Sequence, residues 1–143
     1  MGITLTGTKS SIELSGGYSM MISIRTRVAD AFDKEFGEHY RTLFEAPFFK
    51  DSDRYKAFDK KANEILSDKR FKDEDSDIVK FLFMPDSEGK IRSTTCGKIY
   101  NLIKDTSFPD LALRYVAYSH NDWEDFKALL KECFSKRMNL TWY

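Results

Sequence analysis

Two short stretches near the start of the chain alternate apolar and polar residues. Ile3-Thr4-Leu5-Thr6-Gly7 and Ser11-Ile12-Glu13-Leu14-Ser15 each read as a half-buried strand, because side chains of extended backbone point alternately to its two faces. Gly7-Thr8-Lys9-Ser10 can make the turn between them, so the pair predicts a β-hairpin. Gly16-Gly17 breaks the pattern.

The period then becomes helical. Met21, Ile24, Val28, Phe32, Phe36, Tyr40 and Leu43 recur every three or four residues, with Arg25, Arg27, Asp30, Asp33 and Lys34 filling the opposite, polar face. Gly37 is the expected point of a split or kink, and Pro47 ends the segment because the residue before proline disfavours helix. A second helix carries Tyr55, Phe58, Ala62, Ile65 and Leu66 on one side, capped by Asp51 or Ser52. Ser67 to Asp77 reads as a charged loop. Asp77 to Phe83 is short and apolar, helix or strand. Pro85 to Gly89 reads as a turn.

A third long helix is expected from about Ser93 to Asp105, with Cys96, Ile99, Tyr100 and Ile103 inward. Leu111 to Tyr118 looks β-like. Asn121 and Glu124 have the spacing of a capping box, opening a helix that presents Trp123, Phe126, Leu130, Cys133 and Phe134. Met138 to Tyr143 alternates as a final strand, so strand, helix and strand follow one another and could form a right-handed crossover. The expectation is an α+β fold: an N-terminal β-hairpin, several amphipathic helices and a C-terminal strand-helix-strand. At 143 residues one domain, 1–143, is the simplest division.

Composition narrows the functions. Twenty-three basic residues balance twenty-three acidic ones, unlike the basic stripe of a nucleic-acid binder. No apolar run approaches the ~20 residues of a membrane span. No signal peptide is legible at Met1-Gly2-Ile3-Thr4; Met-Gly with Thr6 fits only the bare myristoylation pattern, and it runs straight into a strand. Cys96 and Cys133 then read as reduced intracellular thiols, and the expected location is the cytoplasm.

Candidate chemistry is sparse. His39 and His120 are the two histidines, neither in a catalytic signature, and no nucleophile elbow or phosphate loop occurs. His39, near the end of its helix, is placed to cap carbonyls. Met84-Pro85-Asp86-Ser87-Glu88-Gly89-Lys90-Ile91 resembles half of a calcium loop, in which alternate side chains converge on a hard cation. Aligned on Gly89, however, its first ligand position would be Met84 and its twelfth Thr95, which argues against calcium. This leaves a solvated acidic turn, or a transition-metal site in which Asp86 and Glu88 are joined by Cys96 or His120. His120 and Cys133 lie about 20 Å apart along one helix and cannot share a metal. Cys133 reads as a core thiol. Cys96 stands where a helix dipole favours thiolate, but its spacing with Ile99 and Ile103 is that of core.

Two features suit a binding surface. Phe48-Phe49 in a loop could anchor a partner, or plug the core. Asp73-Glu74-Asp75 with Asp77 could meet a basic surface, or form a solvated loop.

The last 65 or so residues carry a resemblance. Phe81-Leu82-Phe83 leading to Asp86-Ser87-Glu88-Gly89-Lys90, then Cys96-Gly97-Lys98-Ile99-Tyr100, Asp125-Phe126-Lys127, Leu129-Leu130-Lys131, Cys133 and Trp142-Tyr143 are similar to a group of small proteins of Firmicutes and their phages that have no assigned activity. Members often carry cysteine or aspartate where Ser87 and Glu88 stand, and this chain departs at Ser87. The overall profile resembles streptococcal prophage-encoded anti-CRISPR proteins of type II-A. That resemblance implies a non-enzymatic inhibitor that binds the RNA-guided effector nuclease and blocks DNA loading or cleavage. It also implies, at most, one structural divalent metal, zinc first, since at least one such inhibitor contains it. The alternatives are a small metal-dependent enzyme built on Asp86, Glu88 and a histidine or cysteine, and a host accessory protein with an unknown partner.

Overall fold

The structure is a computed structural model that describes residues 3–7, 11–14, 18–44, 52–67, 71, 75–84, 88–106 and 120–143. The predicted hairpin is present: β1 (Ile3–Thr6) pairs antiparallel with β2 (Ser11–Leu14), Leu5 opposite Ile12. β3 (Gly89–Ile91) and β4 (Leu140–Trp142) complete a sheet of order β2-β1-β4-β3. The C-terminal strand is therefore central. Leu5 pairs with Trp142, and Thr4 exchanges backbone hydrogen bonds of 3.0 and 3.1 Å with Tyr143. β3 falls at the end of the segment read as a turn. It is only three residues long, too short for its alternation to be visible. The strand expected at 111–118 lies outside the described residues. Every described strand pair is antiparallel. Leu5, Ile91, Leu140 and Trp142 face the core.

The helices are α1 (Tyr18–Phe32), α2 (Lys34–Arg41), α3 (Asp53–Leu66), α4 (Ser76–Phe83), α5 (Ser93–Ile103) and α6 (His120–Ser135). The fold is α+β, as expected. The break in the first helical segment comes at Asp33, not Gly37. Asp33 is extended (φ −161°, ψ 131°), and its carboxylate accepts the Phe36 amide at 2.8 Å. It thus closes α1 and caps α2. Gly37 serves the crossing of these two helices instead. A Cβ there would lie 2.8 Å from the Asp30 Cα and 2.9 Å from its amide nitrogen. Backbone cannot yield at that range, so only glycine lets the helices approach so closely.

Ser52, one of the two expected caps, accepts the Tyr55 amide at 3.1 Å and opens α3. Phe58, Ala62 and Ile65 are its buried side. The segment left open between helix and strand is α4, burying Ile78, Phe81 and Leu82. α6 already includes His120, so Asn121 lies inside the helix rather than ahead of it. Trp123, Phe126, Leu130 and Cys133 are buried as expected, whereas Phe134 is 49% exposed.

α6 ends in a Schellman turn. Met138 N–H donates to the Cys133 carbonyl at 2.8 Å and Arg137 N–H to that of Phe134 at 3.3 Å, with Arg137 left-handed at φ 55°. Glycine adopts this conformation without Cβ strain. Arg137→Gly should therefore raise stability by about 0.5–1 kcal/mol in urea unfolding.

Candidate functional site

Arg25 and Arg27 do not lie on a solvent face. They are 3% and 1% exposed, on a helix in which residues 23–29 are all buried. The burial has a purpose for Arg25. α4 ends against α1, and among the described residues the only backbone donor to its Phe81 carbonyl is the Met84 N–H at 3.3 Å, so its last carbonyls call for further donors. Arg25 donates to the Phe81 carbonyl from Nε at 3.2 Å and Nη2 at 2.8 Å, and from Nη2 to the Met84 carbonyl. Tyr40 Oη donates to the Leu82 carbonyl at 2.6 Å. A guanidinium at a helix C-terminus also meets the negative end of the dipole. Arg27 lies over the Trp123 ring, 5.3 Å from its centroid, and a cation on an aromatic face is held by the ring quadrupole.

Beside them, Asp30 pairs with Arg41. Burial raises the Asp30 carboxyl above its ordinary value, and Arg41 only partly offsets that. His39 caps no carbonyl of its own helix. Its Nε2 donates to the Phe58 carbonyl at 2.9 Å, and its ring stacks on Phe58 at 4.2 Å between centroids, tying α2 to α3.

Cys96 on α5 and Cys133 on α6 are both free thiols buried in the core. Burial, with the neighbouring Cys133, pushes the Cys96 thiol up to about 12. Burial and then Glu132 raise Cys133 as well. Thiols held protonated in this way are core groups. Of the expected metal donors, Glu88 is exposed just ahead of β3. Asp86 and the side chain of His120 lie outside the described residues. Among the described residues no three of His, Cys, Asp and Glu are grouped to hold a metal ion. No described helix is long and apolar enough to cross a membrane.

Among the described residues, an apolar cleft of about 350 Å³ lies where the ends of α1 and α3 meet the start of α4. Phe32, Leu66, Phe71 and Val79 make its apolar walls, with Asp75 and Lys80 at the charged lip. Phe71 is held against Phe32 at 5.3 Å between ring centroids. Asp75 immediately precedes α4 without capping it through its side chain. The structure thus places Asp75, one of the residues singled out for partner binding, on this lip. Asp73, Glu74, Phe48 and Phe49 lie outside the described residues.

The cleft was missed because its walls come from three separated segments. The buried arginines did leave a signal. Arg25 and Arg27 are about 200° apart around a helix, so no single polar face can hold both.

No protein-family model, no curated protein and no solved structure matches this chain.

Proposed function

We infer that the protein is a binding protein that inhibits a type II-A RNA-guided effector nuclease stoichiometrically, the function implied by its resemblance to prophage anti-CRISPR proteins. The observation that carries this reading is the cleft between α1, α3 and α4. An apolar pocket with a charged lip is the form in which a protein surface takes up a partner's anchoring side chain. Its volume suits one or two such side chains.

Two further features support it. The chemistry-bearing side chains described above are engaged in architecture: Arg25 on the end of α4, His39 on α3, Cys96 and Cys133 in the core. Balanced charge, 23 against 23, favours a protein surface over a phosphate backbone as the partner, since phosphate contacts draw on excess cations.

Size-exclusion chromatography with the guide-loaded nuclease tests the reading, with DNA cleavage assayed on the same fractions. Wild type should co-elute and cleavage should fall. Val79→Asp puts a charge into the apolar wall at a half-buried surface position, and should weaken binding roughly 30-fold while the helical circular dichroism is kept. Absence of co-elution with cleavage unaffected would remove the reading. Full affinity in Val79→Asp would move the interface elsewhere.

A further inference from the structure

α5 and α6 pack against each other, and each brings one line of residues to the outer side of their seam. From α5 and its cap come Gly97, Tyr100 and Lys104; from α6 come Lys127, Lys131 and Phe134. Spacings of three and four residues put each set on one helix face. At one end of the seam the Phe134 ring lies on Gly97, where a Cβ would collide with it. The missing side chain seats the ring against the α5 backbone, yet Phe134 stays 49% exposed. A large apolar surface is thus fixed in place and still open to contact.

Towards the other end runs a groove of about 240 Å³ lined by Tyr100, Lys104, Lys127, Lys131 and Glu124. Lys127 is committed: its Nζ pairs with Glu124 at 3.1 Å and donates to the Thr106 carbonyl at 3.0 Å. It neutralises the one acid of the groove and covers the negative end of α5. Lys104 and Lys131 are exposed, and among the described residues neither has a carboxylate partner. The groove therefore keeps two uncompensated positive charges beside an exposed aromatic ring.

We propose that this seam docks an acidic amphipathic helix of a protein partner, with carboxylates on Lys104 and Lys131 and one apolar side chain on Phe134. Gly97 and Lys104 are seven residues apart, about 10 Å along the helix. An occupant must carry its acidic and apolar groups that far apart, as positions i and i+7 of a helix do. Two free cations match a few carboxylates better than a nucleic-acid strand, which brings a phosphate with every nucleotide. The seam is separate from the cleft of α1, α3 and α4 and does not depend on the nuclease reading.

The test is fluorescence anisotropy with a labelled, alanine-rich helical peptide that carries two glutamates one turn apart and a leucine two turns from the first. Wild type should bind it saturably, and less tightly as salt is raised. Lys104→Glu with Lys131→Glu, both at exposed positions, should weaken binding at least roughly 10-fold with the circular dichroism unchanged. Phe134→Ser should weaken it roughly 5-fold. The proposal fails if wild type does not saturate, if the paired lysine variant binds as wild type does, or if a peptide with lysines for the glutamates binds equally. Displacement of the peptide by a single-stranded thymidine oligonucleotide at lower concentration would assign the seam to nucleic acid instead. A dimer in sedimentation that the lysine variant abolishes would assign it to a second copy of this chain.

Discussion

Raising the pH above the ordinary thiol value of 9.0 should destabilise this protein steeply, because Cys96 stays protonated in the fold up to about 12. The sign follows from linkage. Above 9.0 the unfolded chain releases the thiol proton while the folded chain keeps it, so unfolding is increasingly favoured until the folded group also ionises. The stabilisation is complete below 9.0 and lost towards 12. Three pH units correspond to about 4 kcal/mol over the whole window. Cys133 is raised too, by burial, and adds in the same direction. Tyrosines and lysines also titrate in this range, so the informative quantity is the difference between wild type and Cys96→Ala. The variant should be less stable at neutral pH by about 1 kcal/mol for the lost packing. It should fall less steeply with pH, narrowing the gap or reversing it. Urea midpoints from about pH 8 to about pH 11 measure this. Parallel curves would show that the Cys96 thiol titrates normally.

Arg25→Met is expected to cost about 3 kcal/mol. Arg25 supplies charged donors to the Phe81 and Met84 carbonyls at the buried end of α4. Methionine fills similar volume but leaves those oxygens without these donors, and each charged hydrogen bond contributes about 1.5–3 kcal/mol. Recovery of the guanidinium's own desolvation cost lowers the total. Arg25→Lys should restore little, since one ammonium lacks the planar fork that reaches both carbonyls. Urea unfolding gives the magnitude. Amide exchange should show the loss centred on α4. A change below about 1 kcal/mol would mean that the end of α4 is held by other contacts.

Much of the fold was legible because its elements are long enough to show a period. The hairpin, α3, α5 and α6 each repeat their apolar residues at the spacing of the final structure. Where the reading failed, a single side chain or a distant contact decided the outcome. Asp33 outcompetes Gly37 as the break because a carboxylate can satisfy the Phe36 amide, whereas helical glycine only permits close packing. Arg25 and Arg27 were read as solvent-facing because charge is usually solvated. Their true partners, the Phe81 carbonyl and the Trp123 ring, are 56 and 96 residues away and leave no local pattern. For the candidate site, Asp75 was visible as part of an acidic cluster. The apolar walls beside it come from separate stretches, Phe32 and Leu66 from two helical patterns and Val79 from the short apolar segment 77–83, and only the packing of α1, α3 and α4 brings them together.

The most direct test of the inhibitor reading is the rate of DNA cleavage by a guide-loaded type II-A nuclease, measured against the molar ratio of this protein to nuclease. A stoichiometric binder gives a linear fall that ends near one-to-one and does not change with longer incubation. Loss of cleavage far below equimolar, deepening with time, would mean that the protein turns over and is a catalyst. An undiminished rate at saturating ratio would mean that this nuclease is not its partner.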